Sequence, residues 1–198
     1  MSGALFTLAQ PCRHQEEIKK SRFLALAAPA GSPEQALAFL HDVSEPTATH
    51  NCWAYRIGQD YRFNDDGEPG GTAGRPILQA IEGQDMDRVV VVVTRWYGGI
   101  KLGAGGLVRA YGGTAAECLR RAERVPIVAM ARLGVHCDFA ELALLKARLK
   151  DLQAEIENEA FGADGVELLL RLPDSHVAEA QLRISDISRG RSIVNRLD

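Results

Sequence analysis

The chain has 198 residues, 46% of them hydrophobic and 25% charged, with a formal net charge of -3. That suits one large domain or two small ones with a real core, and it excludes a global electrostatic pull toward nucleic acid, so any such binding needs a local basic patch. No apolar run approaches the ~20 residues of a membrane helix, and the start Met1-Ser2-Gly3-Ala4-Leu5-Phe6 lacks the basic lead and cleavage pattern of a secretory signal. The expectation is a cytoplasmic protein that does not engage a membrane.

In chain order, residues 22–26 give the first expected strand, followed by a helix with Ser32 as N-cap, Pro33 at its first position and Gln35 closing a capping box. Residues 51–57 have the aromatic content of a strand, and residues 61–63 pair back onto it across Gly58 as a hairpin. Residues 65–74 are too rich in Gly, Pro and Asp for regular structure, and residues 76–81 read as a short helix. The unbroken β-branched run 89–93 suits a central strand covered on both faces, with Arg95, Trp96 and Tyr97 at its exit. Trp96 and Tyr97 are consecutive, so one of them is expected to belong to the core. A glycine-rich turn, 98–106, leads into a helix over 107–124, where Leu107, Ala110, Tyr111, Thr114, Ala115, Cys118 and Leu119 recur at helical spacing.

Charge and glycine both shift near Val125 and Pro126. Before residue 130 there are 14 basic and 14 acidic residues, and after it 9 and 12. Two domains are therefore expected, residues 1–125 and 126–198. In the second, residues 127–139 are extended, and 140–153 form a helix striped by Leu142, Leu145, Leu149 and Leu152. Residues 162–165 then join two strands, 174–184 form a last helix, and 192–197 a last strand. This order matches a ferredoxin-like module, and the whole chain reads as an α+β fold.

Several groups could carry chemistry. The glycine turn joins a buried strand to a helix, and the unpaired amides of that helix start, around Gly103, Gly105 and Gly106, suit a phosphate or carboxylate. The spacing is neither a dinucleotide fingerprint nor a Walker loop, and tight helix–strand packing explains such glycines equally well. Arg95, Tyr97, Lys101 and Arg109 add charge and an aromatic face nearby, and Lys20 and Arg22 extend the basic character. Asp65, Asp66 and Glu68 fall in one bendable loop, where they could approach Mg²⁺ or satisfy local N–H groups; the loop lacks the alternating ligands of a calcium site. His50 and Cys52 are two apart on a strand, a spacing that does not bring a nucleophile to its base, so Cys52 reads as structural. The four cysteines, Cys12, Cys52, Cys118 and Cys137, lie too far apart for a disulfide framework or zinc site, and the histidines show no zinc pattern. No metal or cofactor is expected.

Four segments in order carry a specific resemblance: 17–23, 50–55, 65–76 and 95–111. Their hallmarks are His50-Asn51-Cys52-Trp53-Ala54-Tyr55, Asp65-Asp66-Gly67-Glu68-Pro69-Gly70-Gly71-Thr72-Ala73-Gly74 and Arg95-Trp96-Tyr97-Gly98-Gly99. Together they resemble the IMPACT family, in particular its bacterial YigZ branch, over residues 15–124. Asn51 stands where a second histidine is common, and Trp96 where tyrosine or phenylalanine is usual. The resemblance implies a βαβ-rich N-terminal domain like those of a small-subunit ribosomal protein and elongation factor G, and a C-terminal domain like the last domain of that factor. It also implies a role linked to translation, since eukaryotic relatives relieve a stress kinase by competing for its activator, and it transfers no established active site. The resulting expectation is a non-enzymatic factor that binds RNA or a ribosomal surface through Lys20, Arg22, Arg95, Tyr97, Lys101 and Gly103, Gly105 and Gly106. His50, Asp65, Asp66 and Glu68 are loop candidates, and the acidic C-terminal domain is the candidate contact for a protein partner. The alternatives are a Mg²⁺-dependent enzyme acting on a nucleotide or phosphorylated small molecule, and a pure protein-interaction adaptor.

Overall fold

A computed structural model describes residues 4–197 and divides the chain into two compact units between Ile127 and Val128. In chain order the first unit carries β1 (Phe6–Leu8), β2 (Cys12–Ile18), β3 (Ser21–Pro29), α1 (Pro33–Val43), β4 (His50–Ile57) and β5 (Asp60–Asn64). It continues with α2 (Gly74–Gly83), β6 (Val89–Trp96), α3 (Ala104–Arg121) and β7 (Arg124–Pro126). Five strands form one sheet in the order β2-β3-β6-β4-β5 with every neighbouring pair antiparallel, and β1 pairs with β7 separately. Because β3 and β4 both run antiparallel to β6, they are parallel to each other, and α1 connects them across it. The same logic makes β5 and β6 parallel across β4, joined by α2. Two split βαβ units thus interleave in one sheet.

The valine run fixes the middle of this sheet. Val89 to Val93 are fully buried, and their alternation sends Val89, Val91 and Val93 into the cluster of Phe23, Ile77, Ile81, Leu107 and Tyr111 from β3, α2 and α3. Val90 joins Ala36 and Tyr55 in a separate cluster beneath α1. Period-two alternation in a strand with helices on both sides requires apolar residues at consecutive positions, as observed. On α3, small residues let α2 come close: a Cβ on Gly112 would touch Pro76 at 3.4 Å.

Two strands lie ahead of residue 22, and the second of them has little apolar signature. In β2, Arg13, His14, Gln15, Glu16 and Glu17 occupy the middle of an edge strand, where half-buried and exposed positions alternate. Charged residues are how edges avoid pairing with other chains, and they also hide the strand from a hydrophobicity reading. The helix boundaries move as well. α2 starts at Gly74 rather than 76, and α3 starts at Ala104 rather than 107, so Gly105 and Gly106 belong to its first turn. α3 then stops at Arg121, and residues 124–126 form β7 instead of the helix end expected there.

The second unit contains β8 (Met130–Cys137), α4 (Phe139–Leu149), β9 (Glu155–Phe161), β10 (Val166–Pro173), α5 (Val177–Ser188) and β11 (Val194–Leu197). Its antiparallel sheet runs β11-β8-β10-β9, the ferredoxin-like order for a βαββαβ chain. Leu145 and Leu149 from α4 and Ala180 and Ile184 from α5 cover Leu133, Val135, Leu168 and Leu170 of the sheet. No helix among the described residues is long and apolar enough to cross a membrane.

Candidate anion-binding cleft

Where β6 leaves the sheet, its last residues split between the two faces. Arg95 follows the parity of Val91 and Val93 and enters the core side, 5.6 Å from the ring of Phe23. Trp96 takes the opposite parity and lies under the guanidinium of its cross-strand partner Arg22, 3.8 Å from the ring centre. The backbone then turns sharply. Thr49 N–H donates to the carbonyl of Arg95 at 2.9 Å, Tyr97 N–H donates to Thr49 Oγ1 at 2.9 Å, and Gly98 N–H donates to Ser21 Oγ at 3.2 Å. A Cβ on Gly98 would collide with the carbonyl of Lys20, so only glycine allows this approach.

Arg95 is 5% exposed and meets a carboxylate brought by the first glycine-rich loop. Its Nη1 donates to Glu68 Oε1 at 2.6 Å, its Nη2 donates to Ser21 Oγ at 3.3 Å, and its Nε is buried with no hydrogen-bond partner. The same Glu68 oxygen accepts from the hydroxyl of fully buried Tyr111 at 2.6 Å and lies 3.7 Å from His50 Nε2. Burial, with Cys52 and Glu68 adding to it, pushes the Tyr111 hydroxyl far up, so it stays a hydrogen-bond donor at any physiological pH. His50 Nδ1 sits 2.7 Å from the carbonyl of Asp66. A carbonyl only accepts, so Nδ1 is the protonated ring nitrogen and Nε2 is the one turned toward Glu68.

The loop that delivers Glu68 is held by its own acids. Asp65 accepts from Gly71 N–H at 2.9 Å, Ala73 N–H at 3.0 Å and Gly74 N–H at 2.8 Å, satisfying the start of α2. Asp66 Oδ2 accepts from Asn51 N–H at 2.6 Å. Asn51 in turn bonds Glu45 N–H, Glu45 C=O and the Thr94 hydroxyl, so the residue standing in place of a second histidine is a structural pin. Cys52 Sγ donates to the Asp65 carbonyl at 3.0 Å, and burial pushes its thiol up to about 12, which removes it as a nucleophile.

Against this wall stands the start of α3. Its N-cap is Gly103 with φ of 75°, no side chain caps the helix, and its first turn holds no acidic residue. Lys101 precedes it. Between the two walls lies a cleft of about 420 Å³ bordered by Thr49, His50, Glu68, Pro69, Arg95, Tyr97 and Lys101, and closed by Leu102, Gly103, Ala104 and Leu107. A neighbouring hollow of about 240 Å³ shares Leu102 and is lined by Lys19, Gly106 and Arg109 with Ile18 and Ala110.

Residues 19–119 match the Impact N-terminal domain, and residues 135–191 match a domain of unknown function, DUF1949. The chain is 53% identical over 175 residues to an IMPACT family member from Thermus thermophilus, covering 88% of this chain and 97% of that one. The chain belongs to the IMPACT family. It is also 39% identical to the IMPACT family member YigZ of Escherichia coli, over 92% of each chain. A solved structure described as the crystal structure of an hypothetical protein superposes with a TM-score of 0.72 at 36% identity over 98% of both chains.

In this IMPACT-family chain, the sequence-expected residues sort into four groups. Arg95, Tyr97, Lys101, Gly103, His50 and Glu68 share the cleft. Gly105 and Gly106 lie in the first turn of α3, Gly106 facing the neighbouring hollow. Lys20 and Arg22 are not brought in: Lys20 sits in the β2–β3 turn with φ of 66° and lines neither hollow, and Arg22 stacks on Trp96 across the sheet. Asp65, Asp66 and Glu68 do not converge as metal ligands, because backbone amides take the first two and Arg95 and Tyr111 take the third. Nor does either aromatic of the Trp96–Tyr97 pair join the core: Trp96 is partly buried under Arg22, and Tyr97 is 45% exposed. Sequence reasoning placed Tyr111 in the core and missed its polar role. A tyrosine hydroxyl on a helix stripe otherwise made of small and apolar residues was the available signal, since such a group needs a buried partner.

Proposed function

We propose that the protein is a non-enzymatic, translation-associated factor whose N-terminal unit binds RNA or a ribosomal phosphate surface at the start of α3. Family membership supports the link to translation. One observation carries the binding role: an 18-residue helix begins at a cleft with no side-chain cap and no acid in its first turn, beside Lys101. The helix dipole and the first-turn amides, which no side chain caps, favour an anion there.

The contact set differs from the one read off the sequence. Glu68 neutralises Arg95, so the mobile positive charge comes from Lys101, with Lys19 and Arg109 in the adjoining hollow. Binding to tRNA or ribosomes measured across a salt series tests the role. Affinity should fall steeply with salt, and Lys101→Ala should flatten the log–log slope by about one unit. Absence of binding at low salt overturns the reading.

A protein partner at the C-terminal unit is supported by a separate observation. Phe139 and Phe161 are 51% and 66% exposed and stack on each other with ring centres 6.5 Å apart. Exposed paired aromatics are typical of protein contact surfaces. A pull-down through this unit that survives nuclease treatment and is lost in Phe161→Ser would support that contact.

A further inference from the structure

We propose that the cleft accepts one unpaired nucleotide, with its phosphate at the start of α3 and Lys101 and its base on Tyr97. This rests on the phosphate reading above and adds what lies beyond the phosphate. Volume is the first argument. A space of about 420 Å³ is within the range of small-ligand pockets and suits a single nucleotide unit, whereas a duplex backbone is gripped across a broad face.

The wall chemistry is the second argument. A bare phosphate has no use for apolar surface, yet Pro69, Tyr97, Leu102 and Leu107 border the same space as Lys101 and the helix start. Tyr97 is the most telling of these. Its backbone is pinned by Thr49, its ring lies 5.3 Å from the buried guanidinium of Arg95, and nearly half its surface remains open. A fixed, exposed aromatic backed by a cation and placed beside an anion site is a stacking platform. Bases inside a duplex already stack on both faces, so only an unpaired base can use it.

The test is calorimetric titration of the full chain at low salt with adenosine 5′-monophosphate, ribose 5-phosphate and inorganic phosphate. The nucleotide should bind about 10-fold more tightly than ribose 5-phosphate, the size expected of one stacked base. Tyr97→Leu should erase that advantage and leave ribose 5-phosphate unchanged, and Tyr97→Phe should preserve it. Ala104→Asp, which places a carboxylate at the helix start, should weaken all three. Equal binding of nucleotide and sugar phosphate overturns the base contact while leaving the phosphate reading intact. If no phosphate compound binds although ribosomes or tRNA still do, this proposal falls and the RNA contact lies elsewhere; if nothing binds, both readings fall.

A different observation, independent of the cleft, concerns two thiols 106 residues apart. Cys12 Sγ on edge strand β2 lies 3.5 Å from Cys118 Sγ on α3, close enough to link with a small shift. We infer that this pair is a peroxide-sensitive disulfide site. Cys12 is partly exposed, and the hydrogen bond from Cys118 holds its thiol below the usual range, whereas Cys118 is buried and pushed up. The Cys12 thiolate attacks hydrogen peroxide, forming an S–O bond and releasing hydroxide. Cys118 sulfur then displaces water from the sulfenic acid, its proton leaving with that water, and the two sulfurs have together given two electrons to the peroxide. Peroxide-treated protein should lose two titratable thiols, and non-reducing peptide mapping should find Cys12 joined to Cys118. Cys12→Ser should keep its remaining thiols through the same treatment. A linkage involving Cys52, or Cys12 oxidised without any linkage, overturns the inference.

Discussion

Residues 65–74 and residues 98–106 are both glycine-rich segments that lead into helices and border the same cleft, yet they dispose of their polar groups in opposite ways. In the first, one carboxylate, Asp65, takes three amides around the start of α2, and Glu68 is drawn inward to Arg95 and Tyr111. In the second, the first turn of α3 holds no acidic residue and no side chain caps its amides, which begin at the cleft. Glycine content predicts a tight turn in both. What separates a structural turn from a ligand site is whether a side-chain acceptor precedes the helix closely enough to fold back onto it.

The largest expected effect tests the closed half. Arg95→Ala leaves the Glu68 charge buried without its partner and should cost about 3–5 kcal/mol, read as a lower urea midpoint at unchanged m. Glu68→Ala should cost a similar amount, and the double Arg95→Met, Glu68→Met variant far less than the two losses combined, because no uncompensated charge remains. If Arg95→Ala instead kept full stability and lost RNA binding, Arg95 would belong to the open half and the contrast would fail. A smaller effect tests the same side: Asp65→Ala exposes the start of α2 and should destabilise by about 2 kcal/mol, with no change in the salt dependence of RNA binding. A shift in that salt dependence would show that the acidic loop, too, acts on the ligand.

The sequence exposed the parts of this arrangement that repeat. The valine run announced a doubly covered strand, the leucine stripe announced α4, and four motifs in order announced the family. It also assembled most of the cleft, because Arg95, Tyr97 and Lys101 are near neighbours along the chain at one strand exit. What it concealed was parity and pairing. Arg22 and Arg95 look alike as basic residues, but strand alternation puts them on opposite faces of the sheet, one on Trp96 and the other on Phe23. Glu68 looks like a metal ligand until a contact 27 residues away along the chain places Arg95 against it. The edge strand β2 was hidden for a related reason, since solvent-facing charge masks period-two alternation.

The smallest effect on stability is also the sharpest test of the open half. Ala104 is exposed at the first position of α3, where no carboxylate is present. Ala104→Asp brings to this helix start the kind of group that Asp65 brings to the other. A negative charge at a helix N-terminus favours the fold by about 0.3–1 kcal/mol, so the urea midpoint should rise slightly. The same carboxylate occupies the amides and repels phosphate, so RNA affinity should drop. Stability and binding then move in opposite directions, which no simple loss of structure produces. A variant that gained stability and bound RNA unchanged would show that the amides of α3 are not where the phosphate goes.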